Sequence, residues 1–216
     1  MTILIFANGI IEDVQWIRPY LGQATAIIAA DGGTHHLHRL NHPPDVIIGD
    51  LDSLGPNLQA WLDQHDVQFI TYPAAKDETD LELALLYAAQ NYADEILLFG
   101  TLGGRLDQTL ANILLLTHPQ LNGRSIKLLT PNERAWLVTS QTTFNGQIGD
   151  TVSLIPLGGD VHIRATEGLQ WPLQDEPLSF GLARGISNVL TQANAAIEID
   201  SGTLLCIHTR QHENQL

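Results

Sequence analysis

Cysteine and basic residues are the scarce components of this chain. A single cysteine, Cys206, occurs among 216 residues. That excludes an intrachain disulfide and a cysteine-built metal site, and it suits a reducing compartment. Lysine and arginine together number 10 against 24 aspartates and glutamates, a formal net charge of −14. So acidic a chain repels a nucleic-acid backbone, and nucleic acid is not an expected partner. An anionic substrate would need local Lys, Arg or metal help. No apolar run is long enough to span a bilayer, and the N-terminus has no basic segment leading into a cleavable apolar stretch. The expectation is a cytoplasmic protein without a membrane partner. What the chain does have is a core: 44% of its residues are hydrophobic and 16% charged. That balance argues against disorder and allows one large domain or two small ones.

The first half alternates short apolar runs with helix-favouring stretches. Residues 3–7, 26–30, 46–48, 67–71 and 96–99 read as buried strands, and residues 57–65, 81–92 and 106–116 as helices. Such alternation predicts an α/β layer on a mainly parallel sheet, a Rossmann-like domain over residues 1–124. After about Gly123 the runs become short and often alternating, at 125–130, 135–139, 151–155, 161–165, 196–199 and 204–208, with Gly and Pro between them. This predicts an all-β domain over 125–216, a sandwich or a flattened barrel. The run 125–130 could also belong to the first sheet. The polar tail 210–216 is expected to fray.

Four acidic signatures stand beside glycines or at predicted strand ends. Asp31-Gly32-Gly33 follows an apolar run, which places it at the carboxyl end of a strand, where open α/β sheets bind ligands. Taken alone, a plain βα turn with Asp31 near the N-terminus of the next helix is the favoured explanation, since such turns are common. Asp50 and Asp52 flank Leu51 after another such run. In extended chain, residues two apart face one side, so both carboxylates can hold one Mg²⁺. Thr79 and Glu82 match a capping box, and Asp80 suits the positive end of a helix dipole. That reading leaves Lys76 unexplained, and Lys76 could pair with phosphate while Asp80 completes a metal site. Gly103-Gly104-Arg105-Leu106-Asp107-Gln108 opens a helix whose backbone N–H groups favour anions, with Arg105 offering planar donors to phosphate. Asp107 could orient the attacking group or a metal-bound water, or simply be a helix N-terminal charge. Neither GxxxxGK[ST] nor GxGxxG occurs. The joint case is the stronger one. In a parallel sheet these strand ends share one edge, so the carboxylates can converge. His35, His36 and His38 read as a solvated helix face, and Trp61 and Trp136 as packing residues. Trp171 could be core or could stack on a flat heterocycle.

Taken in order, DGG, PDVIIGDLDS, KDETDLELAL and GGRLDQTLANI, with GLQWPL at 168–173 and GISN at 185–188, the chain resembles the thiamine pyrophosphokinase family over most of its length. The resemblance implies an N-terminal α/β domain that binds ATP and Mg²⁺, and a C-terminal β-sandwich that binds thiamine and dimerises. It implies a homodimer with active sites at the interface, and transfer of the pyrophosphoryl group of ATP to the thiamine hydroxyl, with AMP leaving. On the matching motifs, Asp50, Asp52 and Asp80 would hold the metal. Asp31, Gly32, Gly33, Lys76, Gly104 and Gln108 would bind ATP, and Arg105 and Asp107 would act on the reacting groups. Trp171, Ser187 and Asn188 would contact thiamine, Trp171 from the partner subunit. Rival readings are a pyrophosphokinase for another hydroxymethyl heterocycle, a sensing module without turnover, and a metal-dependent phosphohydrolase.

Overall fold

The structure, a computed structural model, describes residues 1–211. It divides into two compact units, Met1–Leu129 and the remainder from Thr130.

In the first unit the apolar runs become β1 (Thr2–Phe6), β2 (Ala24–Ala30), β3 (Val46–Gly49), β4 (Gln68–Thr71), β5 (Glu95–Phe99) and β6 (Ile126–Leu129). They form parallel pairs in the order β6-β5-β1-β2-β3-β4. The run 125–130 therefore pairs with β5 in this sheet. The helices are α1 (Arg18–Leu21), α2 (Thr34–Leu40), α3 (Pro56–Leu62), α4 (Asp80–Asn91) and α5 (Leu106–Leu115).

Strand alternation sorts the core. Leu4, Phe6, Ile27, Ile47, Leu97 and Phe99 pack with Leu37 and Leu40 of α2 and Leu58 and Leu62 of α3. Ile3, Ile5, Ile28 and Ile48 alternate to the opposite face, fully buried, and α4 packs across β1, β2 and β3 with its buried Leu81, Ala84, Leu85 and Ala88. Both faces being covered explains why these strands read as continuous apolar runs. Thr79 caps α4, its hydroxyl accepting from the Glu82 N–H at 3.1 Å.

The order of this sheet reverses at β1, which lies between β2 and β5. The crevice outside the carboxyl ends of strands at such a switch point is where open α/β sheets bind ligands.

The second unit is a β-sandwich. One sheet has the order β12-β9-β14-β7 and the other β11-β10-β13-β8. The strands are β7 (Glu133–Val138), β8 (Gln141–Asn145), β9 (Thr151–Pro156), β10 (Val161–Glu167), β11 (Gln174–Leu178), β12 (Asn188–Val189), β13 (Asn194–Ser201) and β14 (Leu204–Thr209). Val138, Val152, Leu154, Leu204 and Cys206 from the first sheet share one core with Phe144, Val161, Ile163, Ile197 and Ile199 from the second.

Three expectations need correction. The run 67–71, read as a buried strand, forms the edge strand β4 and is mostly exposed. Arg210 and Gln211 do not fray: their N–H groups bond to the Asn132 carbonyl and to Asp150. The rest of the polar tail lies outside the described residues. His36 is buried, not solvated, because α2 turns it toward β1, where Nε2 lies 2.8 Å from the Gly9 carbonyl.

Candidate active site

The carboxyl edge of the parallel sheet gathers the acidic signatures. Asp31 follows β2, and Asp50 and Asp52 follow β3. Their carboxylate oxygens come within 4.8 Å of one another. Asp80 stands beside this group at the start of α4, and a Cβ added to Gly49 would lie 2.8 Å from the Asp31 Cβ and 3.2 Å from Asp80 Oδ1. Only a glycine lets three acidic segments approach so closely. The third carboxylate of the tight cluster is thus Asp31, while Asp80 is ion-paired with Lys76 at 2.8 Å.

Local backbone geometry sets these carboxylates. Leu51 has φ +65°, a left-handed conformation that costs a branched side chain about 1–3 kcal/mol. The Leu51 side chain packs against the core of the first unit, and the Asp52 N–H reaches Asp50 Oδ1 at 3.3 Å. The packing of Leu51 holds the strained turn, and the turn brings Asp50 and Asp52 together. Asp31 also has a positive φ, +40°.

Electrostatics follow from this crowding. Burial raises the Asp31 carboxyl above the ordinary carboxylate range, and the charges of Asp80 and Asp50 push it the same way, against the Ser53 hydroxyl and the Gly32 N–H. Asp31 Oδ1 is buried without a hydrogen-bond partner. An orphaned buried carboxylate oxygen inside a cluster of like charges fits a divalent cation. Asp80 raises the Lys76 ammonium above its usual value, with Asp50 and Asp31 adding to the effect despite partial burial.

Next to the cluster, a cleft of about 260 Å³ opens at the switch point. Its walls are the segments that follow β1, β2 and β5 together with the first turns of α4 and α5. Asp31, Gly32, Asp80 and Gln108 of the expected site line it. Gly33 does not: it is buried, and a Cβ there would meet the Phe6 carbonyl at 1.9 Å, so its role is close packing on β1. Arg105 and Asp107 are exposed and bound to each other through two contacts, 3.1 and 2.6 Å. The Arg105 guanidinium and the Gln108 N–H hold the Asp107 carboxyl below the usual range, which makes it a weak proton acceptor in this arrangement. Gly103 and Gly104 turn with positive φ into α5.

Several cleft residues were missed in the sequence, among them three in the segments that follow β1 and β5. Asn8 and Gly9 follow β1, and Thr101 follows β5. The Asn8 side chain lies over Gly32, where an added Cβ would be 2.4 Å away. The segments after β1 and β5 are zipped together by Ala7 N–H to Phe99 O and Gly9 N–H to Gly100 O. His36 supports this wall from behind through Gly9, and Asn112, itself part of the cleft lining, donates to the Thr101 carbonyl at 2.8 Å. The signal was available: Asn8-Gly9 ends an apolar run just as Asp31-Gly32 does.

Trp171, Ser187 and Asn188 belong to the second unit. Trp171 is 56% exposed and Asn188 is buried. Ser187 has φ +59°, and its N–H bonds to the Ser153 hydroxyl at 3.1 Å.

Comparison with known proteins agrees with this arrangement. Residues 17–128 match the family model described as thiamin pyrophosphokinase, catalytic domain, and residues 140–204 match thiamin pyrophosphokinase, vitamin B1 binding domain. The chain is 30% identical to thiamine pyrophosphokinase 3 of Oryza sativa subsp. japonica, over 88% of this chain and 81% of that protein. It is 28% identical to the thiamine pyrophosphokinase of Bacillus subtilis, over 96% and 98%. The crystal structure of the Bacillus subtilis protein superposes with a TM-score of 0.88 at 27% identity, covering 98% of this chain and all of that one. With a catalytic-domain match over half its length, a second match across the sandwich, and its acidic motifs at one sheet edge, the chain belongs to the thiamine pyrophosphokinase family.

Proposed function

We propose that this protein is a thiamine diphosphokinase, transferring the pyrophosphoryl group of ATP to the hydroxyl of thiamine to give thiamine diphosphate and AMP. The observation that carries this reading is the Asp31, Asp50 and Asp52 cluster at the carboxyl edge of the sheet, next to the switch-point cleft, in a chain of this family.

Asp50, Asp52 and Asp80, with Asp31 beside them, would hold Mg²⁺. The orphaned Asp31 oxygen supports that fit. The ion supplies charge neutralisation for the polyphosphate. The remaining work falls to the chain itself. Gly32 and the turn through Gly104, with Gln108, bring backbone and amide donors to the nucleotide. Gly33 serves indirectly, by letting this turn sit tightly on β1. Lys76 and Arg105 put positive charge on phosphate oxygens in an otherwise acidic protein. Arg105 moving from Asp107 to a phosphate frees the Asp107 carboxylate and raises its proton affinity. Asp107 then accepts the thiamine hydroxyl proton as the oxygen attacks the β-phosphorus. Positioning contributes most, because an unperturbed alcohol is a poor nucleophile.

The first unit would bind ATP and the second thiamine. Trp171 stacks on a ring of the cationic substrate, worth about 0.5–2 kcal/mol, and Ser187 sits alongside. The protein would work as a homodimer with Trp171 supplied across the interface. The apolar face of α5 supports this: Leu106, Leu110 and Leu114 recur every four residues and are 73%, 53% and 54% exposed. A buried free thiol at Cys206 suits the reducing cytoplasm. No described helix is long and apolar enough to cross a membrane.

The test is AMP release from Mg·ATP with and without thiamine. Thiamine-dependent AMP, with thiamine diphosphate formed in equal amount, is expected. AMP release without thiamine would make the protein a phosphohydrolase, and no AMP in either case would make it a binding module.

A further inference from the structure

The motifs GLQWPL and GISN lie 17 residues apart at Trp171 and Asn188, yet they form one built unit. Segment 168–171 runs antiparallel to segment 188–191. Leu169 and Leu190 form a bridge, Thr191 N–H donates to Gly168 O, and Gln170 N–H donates to Val189 O at 2.9 Å. In this register Gly168 with Thr191 and Gln170 with Val189 take the hydrogen-bonded positions, and Trp171 falls opposite Asn188 in a non-hydrogen-bonded position, so the ladder offers no backbone partner to the Trp171 N–H or carbonyl. Asn188 itself pairs with Val152 of β9, and Ser187 turns away with a left-handed φ.

The Asn188 carboxamide supplies the partners that the ladder does not. Its Oδ1 accepts from the Trp171 N–H at 3.1 Å and from the Val189 N–H at 2.9 Å, and its Nδ2 donates to the Trp171 carbonyl at 2.7 Å. One carboxamide satisfies both backbone groups of Trp171, a two-sided pairing that an ionised carboxylate, which has no donor, cannot reproduce. On the other side, Pro172 restricts the backbone and the Leu173 N–H is tied to the Thr166 hydroxyl at 2.8 Å. The Trp171 backbone is fixed on both sides while its indole stays largely exposed.

We propose that Asn188 is a positioning residue for thiamine recognition: its carboxamide is committed to the Trp171 backbone and acts on substrate only by holding the indole in its stacking position. This rests on the thiamine-binding reading of Trp171. It changes the expected role of Asn188, which the resemblance alone would make a direct ligand contact.

Two measurements test it. Hydrogen exchange of the Trp171 amide is expected to be slow in the native chain and to speed up at least about tenfold in Asn188→Ala, the loss of one buried hydrogen bond. The Gln170 and Thr191 amides should keep their protection. In steady-state kinetics, Asn188→Ala is expected to raise the thiamine KM by about five- to tenfold, with ATP KM and kcat within about threefold. In a Trp171→Ala background the same change should add less than about twofold, because both changes remove one interaction. Asn188→Asp keeps the acceptor to both N–H groups and loses the donor, so it should fall between native and Asn188→Ala. It also stands in if the alanine variant does not fold. An unchanged Trp171 amide overturns the proposal, as do KM penalties that multiply in the double variant. If the native protein shows no thiamine-dependent AMP, the functional reading fails, while the exchange data still decide whether Asn188 holds Trp171.

Discussion

At the scale of single residues, the carboxylates gathered near the sheet edge differ in their partners. Asp50 and Asp52 are brought together by a strained Leu51, Asp31 is buried with an orphaned oxygen, Asp80 is paired with Lys76, and Asp107 is pinned by Arg105. These differences give separate expectations. Asp52→Ala should lower turnover at saturating ATP by at least about 10²-fold, the scale of a lost transition-state contact. Near-normal turnover would remove the metal assignment. Arg105→Ala should likewise lower turnover, and it should also move a pH limb. Under the proposed role Asp107 must be ionised to accept a proton, and the neighbouring guanidinium keeps its carboxyl low. Without Arg105 that carboxyl rises, so the acidic limb of kcat/KM should shift to higher pH, and in Asp107→Asn it should disappear. A limb that persists in Asp107→Asn would leave Asp107 only an orienting role.

At the scale of elements, the same residues show which signals a linear pattern carries. Strands β1, β2, β3 and β5 were legible because burial on both faces forces uninterrupted apolar runs, whereas the run of β6 left its sheet open and β4, read as buried, is mostly exposed at the sheet edge. The start of α4 was legible because Thr79 and Glu82 have the spacing of a cap. Strands β8 and β11 were not. Their sequences, QTTFN and QDEPL, are polar, and β11 contains a proline. They form the two edges of their sheet, where a strand needs few apolar residues and tolerates proline. His36 was misread for a related reason: the HHLH run contains both faces of α2, and only packing decides which histidine turns inward. Helix α5 has the opposite character, with no fully buried residue and a leucine stripe in the open. If this face is the dimer contact, Leu110→Glu should convert a dimer to a monomer in light scattering at micromolar concentration. A dimer that persists would place the interface elsewhere.

At the scale of the whole molecule, stability should respond to pH through a buried pair in the sandwich. His208 and Asp150 are 1% and 2% exposed and meet at 2.8 Å, with the Arg134 Nε donating to His208 Nδ1 at 3.1 Å. That geometry fixes the neutral Nε2–H tautomer. Burial lowers the His208 pKa; Asp150 opposes this, while Arg134 and Arg210 lower it further. Burial pushes the Asp150 carboxyl up, but the Gln147 and Gln211 N–H groups and His208 outweigh it and hold it low. The signs agree. Below about pH 6.5 the unfolded chain binds a proton at His208 that the folded chain refuses, so stability falls as pH drops through that value. Asp150 adds a further loss below about pH 4. The unfolding free energy from urea titrations should therefore decline between pH 7.5 and 5.5, by up to about 1.4 kcal/mol per pH unit for this one proton. His208→Gln, which can still donate to Asp150 and accept from Arg134, should flatten that decline. An equal slope in the variant would assign the effect to other histidines.

The sequence by itself determined the alternating α/β layer, the change to short alternating strands, the placement of acidic motifs at strand ends and the family those motifs mark. All of these are local: burial period, capping and turn chemistry act within a few residues. The tertiary structure decided which carboxylates meet, putting Asp31 into the tight cluster and Asp80 onto Lys76. It decided that Gly33 packs against β1, that His36 supports the wall at Gly9, and that Asn188 pairs with the backbone of Trp171. Each of these joins segments far apart in the chain, and strand order and register, which no local pattern encodes, bring them within bonding distance.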